Sequence, residues 1–168
     1  MHKEPDKQAF VRLMEEHKRI IFKVCNSYCR NSSDREDLAQ EIIYQLYKSF
    51  SSFNDSVKFS TWMYRVALNV AISHYRKESV KQSTVPLAAS AEEIREDLSD
   101  GNNTEHNGQL LQQFINDMKE LDRALMLLYL EERSYREIAD ILGITETNVA
   151  TKINRLKEKL KQRFNTEN

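Results

Sequence analysis

The stretch SYREIADILGITETNVATKINRLKEKL, residues 134–160, contains two short helical patterns separated by a glycine. A helix-turn-helix needs a small residue where its helices cross, a turn residue that tolerates positive φ, and an apolar residue that anchors the second helix. Ala139, Gly143 and Val149 supply these residue types at offsets of 0, 4 and 10. The pattern therefore predicts two helices, Tyr135–Leu142 and a longer second one, joined by a sharp turn.

The second of these helices is predicted to have a buried apolar side and an exposed basic side. We expect it to begin after an N-cap at Thr145 and to present one apolar stripe to the domain core, formed by Val149, Ile153, Leu156, Leu160 and Phe164. Its exposed side then carries Thr147, Asn148, Thr151, Lys152, Arg155 and Lys159. Helix N-termini attract anions, and lysine and arginine contact phosphates and base edges, so this side is predicted to bind duplex DNA. The alternative is a solvated basic helix in an ordinary bundle.

The net charge of the whole chain hides this basic helix. The chain has 25 Lys+Arg and 26 Asp+Glu residues and a formal net charge of −1. Residues 82–122 hold nine acidic and two basic groups, whereas residues 147–163 hold six basic groups and one acidic group, Glu158. Because salt screens charges beyond about 10 Å, DNA responds to the local field. Near-neutral total charge therefore does not exclude DNA binding.

The acidic middle of the chain also predicts a linker. Residues 79–109 contain two of the three glycines and one of the two prolines, with too few apolar side chains for a core-facing stripe. We predict domains at 1–78 and 109–168, joined by a flexible acidic linker over 79–108. No strand-like alternation occurs on either side, so the predicted fold class is all-α with two small helical domains.

The N-terminal domain is predicted to contain three helices. The first covers about 6–30, and the second has a stripe at Leu38, Ile42, Leu46 and Phe50 after a Ser or Asp cap in 30–34. Ser60 is the predicted N-cap of the third. The C-terminal domain is predicted to begin with an amphipathic helix over 110–121 and a buried one over 122–130.

Composition excludes several classes of function. The chain shows no Ser/His/Asp or Cys/His set, glycine-rich phosphate loop or metal-ligand spacing, and we predict no enzyme activity, metal or cofactor. Cys25 and Cys29, four residues apart on a helix, are expected to be free thiols in a reducing compartment. No apolar run approaches the roughly 20 residues that span a bilayer, and the N-terminus has no apolar signal segment. The predicted location is the cytoplasm, without membrane insertion.

Three motifs resemble the extracytoplasmic-function (ECF) sigma factors of bacterial RNA polymerase. The stretch DREDLAQEIIYQLYKSF, residues 34–50, carries the acidic D-L-x-Q-E pattern of the family. The stretch FSTWMYRVALNVAISHYRK, residues 59–77, carries its W-x-Y-R-x-A pattern with a following asparagine and a basic end. The signature S-Y-x-E-I-A-x-x-L-G-I then begins at Ser134. The motifs occur in the family's order and cover nearly the whole chain apart from the linker.

The resemblance implies a two-domain transcription initiation factor. Its N-terminal domain, called region 2, would bind the clamp helices of the polymerase β′ subunit and open the promoter −10 element. Its C-terminal domain, region 4, would read the −35 element and touch the β flap. An anti-sigma factor is a further partner that the resemblance suggests.

The implied polymerase-binding face is polar and lies on the second helix, with Asp37, Gln40, Glu41 and Tyr44. The implied −10 binding and melting residues combine aromatic rings, which stack on nucleobases, with basic side chains, which bind the phosphates of single-stranded DNA. They are Trp62, Tyr64, Arg65, Asn69, Ser73, His74, Arg76 and Lys77. Trp62 also lies on the apolar stripe of its helix, so both core packing and base stacking stay open for it. The loop Phe53–Phe59 matches the family segment that captures a flipped-out base.

Departures from the family pattern occur at three positions. Leu68 and Ser73 replace the frequent Arg and Asp, which leaves the −10 sequence preference open, and Ile43 stands where an aromatic is frequent and is interpreted as a packing substitution. The alternative function is a regulator that binds duplex DNA and recruits nothing, its N-terminal domain serving for dimerisation or sensing. Such a regulator does not need the aromatic and basic third helix.

Overall fold

The structure is a computed structural model that describes the backbone of residues 6–83 and 102–166 and the side chains of 6–80 and 105–166. Within these ranges the chain forms α-helices and one short 3-10 turn, with no strand. The all-α prediction is therefore confirmed. The elements are α1 (Lys7–Tyr28), α2 (Ser32–Ser49), the 3-10 turn (Phe50–Ser52), α3 (Phe59–Ser83), α4 (Asn102–Asp117), α5 (Glu120–Leu130), α6 (Tyr135–Leu142) and α7 (Glu146–Thr166).

The N-terminal domain is a bundle of α1, α2 and α3, in which each helix packs against the other two. The predicted stripe of α2 is at the centre, with Leu38, Ile42 and Leu46 fully buried. Leu68 and Met63 of α3 are equally buried against it. The apolar spacing of three and four residues thus produces one face per helix, and burying these faces together excludes water from the bundle.

The C-terminal domain contains α4 to α7, and α5 lies against both helices of the helix-turn-helix. Leu125 and Leu128 of α5, Ile138 of α6 and Val149 of α7 are fully buried. The prediction of a buried helix over 122–130 is confirmed for Ala124, Leu125, Met126 and Leu128, whereas Leu130 at its end is 50% exposed. The two domains also pack on one another, since α3 contacts α5 and α6, and α1 contacts α4 and α5.

Helix ends show where local sequence signals compete. The N-cap of α2 is Asn31, whose side-chain oxygen accepts from the backbone N–H of Asp34 at 2.8 Å, rather than the predicted Ser or Asp. The predicted cap at Ser60 is wrong, because α3 begins at Phe59 and the N–H of Trp62 already bonds to the Lys58 carbonyl oxygen at 3.1 Å. Ser60 therefore lies inside the first turn.

The helices that flank the predicted linker are longer than expected. α3 continues to Ser83, beyond the predicted domain end at 78, and α4 begins at Asn102, before the predicted start at 109. Most of the predicted linker over 79–108, residues 84–101, lies outside the described residues. The division of the chain at 78 and 109 stays a prediction.

Gly143 ends α6 in the left-handed conformation, with φ of 69°. A Cβ placed there would meet no atom within 4 Å, so a side chain costs backbone strain alone. We expect Gly143→Ala to lower the free energy of unfolding by roughly 1 kcal/mol, measured by urea denaturation. Gly108→Ala is the control: it also has open space but lies within α4, so its effect should have the opposite sign. Equal effects of the two variants would contradict the role of the left-handed turn.

Candidate nucleic-acid interface and docking surfaces

The helix-turn-helix is built by two side-chain caps and the glycine turn between them. The Ser134 hydroxyl accepts from the backbone N–H of Glu137 at 3.1 Å at the start of α6. The Thr145 hydroxyl accepts from the N–H of Asn148 at 3.1 Å at the start of α7. The predicted Thr145 cap is confirmed. These hydrogen bonds satisfy backbone donors that a helix start leaves open, which fixes where α7 begins and which of its faces points outward.

The outward face of α7 is the predicted DNA-binding face. Its predicted apolar stripe is buried at Val149, Ile153 and Leu156, which are between 0% and 4% exposed, whereas Leu160 and Phe164 near the end of the helix are only half-buried. The opposite side exposes Thr147, Asn148, Thr151, Arg155 and Lys159 and half-exposes Lys152. Within the described side chains, Lys152, Arg155 and Lys159 form no ion pair. Their charges are free to meet a polyanion.

Two other basic residues of α7 make contacts within the C-terminal domain. Arg163 pairs with Asp117 of α4 at 2.8 Å. The Lys157 ammonium lies 4.6 Å from the centre of the Tyr129 ring, and a hydrogen bond with Tyr129 raises the pKa of this lysine. The basic segment thus divides into residues that hold α7 on its domain and residues that face outward.

The predicted −10 residues of α3 separate into an exposed and a covered group. Asn69, Ser73 and Lys77 are exposed at intervals of four residues and therefore share one side of the helix. His74 is half-buried, and Arg76 is exposed but pairs with Glu120 of α5 at 2.9 Å. The other three, Trp62, Tyr64 and Arg65, are covered or engaged.

Trp62 is only 9% exposed and belongs to an aromatic cluster. Its ring centre lies 5.3 Å from that of Phe53 and 5.4 Å from that of Phe59. In this structure Trp62 therefore packs in the core, and stacking on a base would require the cluster to open. Its role in −10 binding stays a prediction, together with that of the Phe53–Phe59 loop.

Tyr64 and Arg65 are covered by the C-terminal domain. Tyr64 is 1% exposed, with the Arg133 guanidinium 5.1 Å from its ring centre, and burial raises the pKa of its hydroxyl. Arg65 donates to the backbone carbonyl oxygen of Asp140 in α6 at 2.8 Å. In this arrangement Tyr64 is buried and the Arg65 guanidinium is engaged, so neither is free to contact DNA, and their assignment also stays a prediction.

The predicted polymerase-binding face of α2 is open. Asp37, Gln40 and Glu41 are exposed, and Tyr44 is 57% exposed. Beside them a groove of about 620 Å³ lies between α1 and α2, lined by Lys7, Phe10, Val11, Gln40, Ile43, Tyr44 and Tyr47.

Ile43 is 42% exposed in this groove, so its interpretation as a packing substitution is wrong: it belongs to the surface beside the polar face. Val11, 58% exposed, was not predicted for this surface because α1 alone gives no sign of the groove.

Arg123 is the residue of greatest structural consequence that the sequence did not indicate. It lies in α5, is 5% exposed, and hydrogen-bonds backbone carbonyl oxygens of both domains. Two of its partners, the carbonyl oxygens of Asn116 and Met118, lie within seven residues, but the third, that of Ser27, lies 96 residues away, and no motif around Arg123 indicates a contact with the other domain.

The two cysteines are free thiols buried in α1 and at its end. Burial is the main cause that raises the pKa of Cys25 and that of Cys29 to about 11. Such thiols are poor nucleophiles and poor metal ligands at neutral pH. Among the side chains of 6–80 and 105–166, no group of three or more His, Cys, Asp or Glu is placed to hold a metal ion. Within the same stretches, no helix combines the length and apolar character needed to cross a membrane.

A three-helix bundle with an open polar face, followed by a capped helix-turn-helix with a free basic face, defines a DNA-binding protein of two helical domains. Comparison with known families gives its class. Residues 13–80 match the Sigma-70 region 2 family, and residues 108–160 match the Sigma-70 region 4 family. The ECF sigma factor SigW of Bacillus subtilis is 30% identical over 96% of this chain and 92% of its own length. The chain belongs to the ECF family of RNA polymerase sigma factors.

Further relatives agree with this assignment. The ECF sigma-E factor of Escherichia coli K12 is 27% identical, with 91% of this chain and 85% of that protein covered. Among solved structures, CnrH in complex with the cytosolic domain of CnrY superposes with a TM-score of 0.69 at 17% identity, covering 97% of this chain and 92% of CnrH. The sigma factor RpoE of Bartonella quintana, in complex with the anti-sigma factor NepR, gives 0.66 at 17% identity, covering 96% and 98%. These two likenesses bear on the fold.

The family assignment decides between the functions that the sequence left open. The protein is a sigma factor that binds RNA polymerase and promoter DNA and initiates transcription. The alternative of a duplex-binding regulator that recruits nothing is excluded.

Proposed function

We propose that the three surfaces divide the work of promoter recognition. The exposed face of α7 reads the −35 element in the major groove, and the exposed side of α3 binds the melted −10 strand. The α2 face with its neighbouring groove docks on the β′ clamp helices, and the C-terminal domain also touches the β flap. The observation that carries the proposal is the free basic face of α7, held outward by the buried residues Val149, Ile153 and Leu156 and by the Thr145 cap.

The chemistry of each surface supports its assignment. The N-terminal half of α7 offers hydroxyl, amide and guanidinium groups, which hydrogen-bond base edges and phosphates. The α2 surface combines carboxylates with an apolar groove, and such a surface suits a basic helical partner with apolar side chains between its charges. The exposed Asn69 of α3 supplies an amide for reading an unpaired base.

We further propose that the protein acts in the cytoplasm, where the polymerase is, and that it catalyses no reaction itself. CnrH and RpoE have been solved with CnrY and with the anti-sigma factor NepR respectively. This chain shares their fold, and we propose that an anti-sigma factor holds it until transcription is required.

The Asp37→Asn/Gln40→Ala double variant tests the docking surface. Removing one carboxylate and one amide from an exposed interface should weaken binding to core polymerase about tenfold, in line with the modest contribution of exposed polar contacts. The Kd for core is measured with fluorescently labelled sigma factor, and the start sites used by the holoenzyme are then mapped.

The matched control is Asp140→Asn/Gln113→Ala, which makes the same chemical change at exposed positions of α6 and α4. It should leave the affinity for core polymerase close to that of the wild-type protein. Unchanged core affinity in the α2 variant would place the docking surface elsewhere, while altered start-site choice would show that α2 also affects promoter reading.

A further inference from the structure

We propose that Arg123 holds the two domains in a closed form that covers part of the −10 surface of α3. The closed form is the arrangement seen here, with α1 and α3 packed against the C-terminal domain. The statement that the C-terminal domain covers a −10 surface rests on the −10 role proposed for α3. The existence of the closed form and the role of Arg123 in it do not depend on that proposed role.

Arg123 lies between the carboxyl ends of two helices from different domains. Its Nη1 donates to the Ser27 carbonyl oxygen at 3.1 Å, one residue before α1 ends at Tyr28. Its Nη2 donates to the Asn116 carbonyl oxygen at 2.5 Å, and its Nε to that of Met118 at 3.2 Å, both at the end of α4. Carbonyl groups at a helix C-terminus lack partners within the helix and carry partial negative charge. One guanidinium thus neutralises both helix ends.

Two aromatic rings of the N-terminal domain surround the same guanidinium. Its central carbon lies 4.6 Å from the centre of the Tyr75 ring and 5.9 Å from that of the Tyr28 ring. The Tyr28 hydroxyl in turn donates to the Glu120 carbonyl oxygen of α5 at 2.6 Å. A buried cation is costly unless such contacts replace its water. Arg123 is therefore satisfied in the closed form, and separating the domains removes the Ser27 and ring contacts.

Further polar contacts join the domains around this centre. Lys23 of α1 pairs with Glu131, Arg76 of α3 pairs with Glu120, and Arg65 of α3 bonds to the Asp140 carbonyl oxygen. Most of these groups can exchange their partners for water or phosphate. The buried apolar residues of the two domains form one continuous cluster, so opening requires a partner that compensates for their exposure.

In the closed form the C-terminal domain covers part of the predicted −10 surface and leaves the other two predicted surfaces exposed. Tyr64, Arg65 and Arg76 of the predicted −10 surface are engaged by the C-terminal domain, whereas the α2 face and the outward face of α7 are exposed. The closed form can therefore dock on polymerase and meet duplex DNA before it binds a melted strand. A partner that binds the open form more tightly shifts the population toward it, and polymerase with promoter DNA is that partner.

Energy transfer between fluorophores on the two domains tests the proposal in the full-length protein. The dyes are coupled to an azide-bearing amino acid introduced in place of Glu36 in α2 and Lys161 in α7, both exposed. This avoids the free thiols of Cys25 and Cys29. Arg123→Met keeps an unbranched side chain of similar length but removes the charge and all donors. We expect it to lower the closed-to-open ratio roughly tenfold and to reduce transfer.

Two further variants protect the test against a fold defect in Arg123→Met. The double variant Tyr28→Phe/Glu120→Gln weakens contacts between the domains and leaves Arg123 in place, and its transfer should also fall. Lys18→Met breaks the exposed ion pair with Glu15 within α1, away from both dyes, and its transfer should equal that of the wild type. Low transfer in the wild-type protein would overturn the closed form. High transfer that stays equal in wild type and both interdomain variants would overturn the role of Arg123 and its neighbours in holding it.

Binding of a labelled single strand separates this proposal from the proposed −10 role. The probe is the non-template −10 strand of a promoter mapped by run-off transcription with this sigma factor. Arg123→Met should bind the strand more tightly than the wild type, roughly in proportion to the gain in open form. If the variant opens without any gain in strand binding, the closed form stands and the −10 assignment of α3 is wrong.

Discussion

The Ile153→Ala variant is expected to lose about 2–5 kcal/mol of folding free energy in the C-terminal domain, which is the cost of removing a buried branched side chain and leaving a cavity. Ile153 is 1% exposed and lies in the middle of the stripe that joins α7 to its domain. Its loss should lower the urea midpoint followed by far-UV circular dichroism. Binding to a −35 duplex should fall with the folded fraction.

The neighbouring residue provides the control for this variant. Asn154 is exposed, one position further along α7, and Asn154→Ala should change the unfolding free energy by less than about 0.5 kcal/mol. A loss below 1 kcal/mol for Ile153→Ala would mean that α7 is not fixed by its apolar stripe. The outward direction of its basic face would then lose its physical basis.

The Arg155→Ala variant is expected to weaken binding to the −35 element by about 1–3 kcal/mol, or roughly 5- to 150-fold, while core polymerase binding is unchanged. Arg155 is exposed on the outward face of α7, and the structure shows it in no ion pair with a described residue. Its guanidinium can therefore donate to a base edge or a phosphate. The measurement is the Kd for a labelled −35 duplex at fixed salt, since salt alone changes such affinities.

Lys161→Ala is the matched control for Arg155→Ala, because it removes one positive charge from the same helix beyond the predicted contact residues. Its effect on affinity should be smaller and equal for all sequences. If Arg155→Ala and Lys161→Ala weaken binding to specific and nonspecific duplexes alike, α7 contributes only nonspecific electrostatic attraction and does not read the −35 sequence.

The helix-turn-helix was predictable because its determinants are local. The stripe at Val149, Ile153 and Leu156, the cap at Thr145 and the left-handed Gly143 each follow from spacing or from the conformational range of one residue type. Ser60 shows the limit of such signals. Ser60 is a good capping residue, but α3 begins one residue earlier, at Phe59. The Phe59 ring packs in the aromatic cluster at that position.

The contacts between the domains were not predictable, because nothing local determines them. Arg123 bonds to the Ser27 carbonyl oxygen 96 residues away, and Arg65 bonds to that of Asp140, 75 residues away. Every residue has a backbone carbonyl, so the sequence does not show which of them will accept a hydrogen bond from another domain. Tyr64 was predicted as a DNA contact from its own helix alone, although in the closed form it lies buried beneath Arg133 of the other domain.

Run-off transcription with purified core polymerase and genomic DNA fragments tests the central claim most directly. If the protein is a promoter-reading sigma factor, discrete transcripts that require it are expected. Asp37→Asn/Gln40→Ala should reduce all of them together, and Arg155→Ala should reduce those that depend on a −35 element. Transcripts that depend on this protein but respond to neither variant would contradict the assignment of α2 and α7. Stable binding to core polymerase without any specific start site would contradict promoter recognition itself.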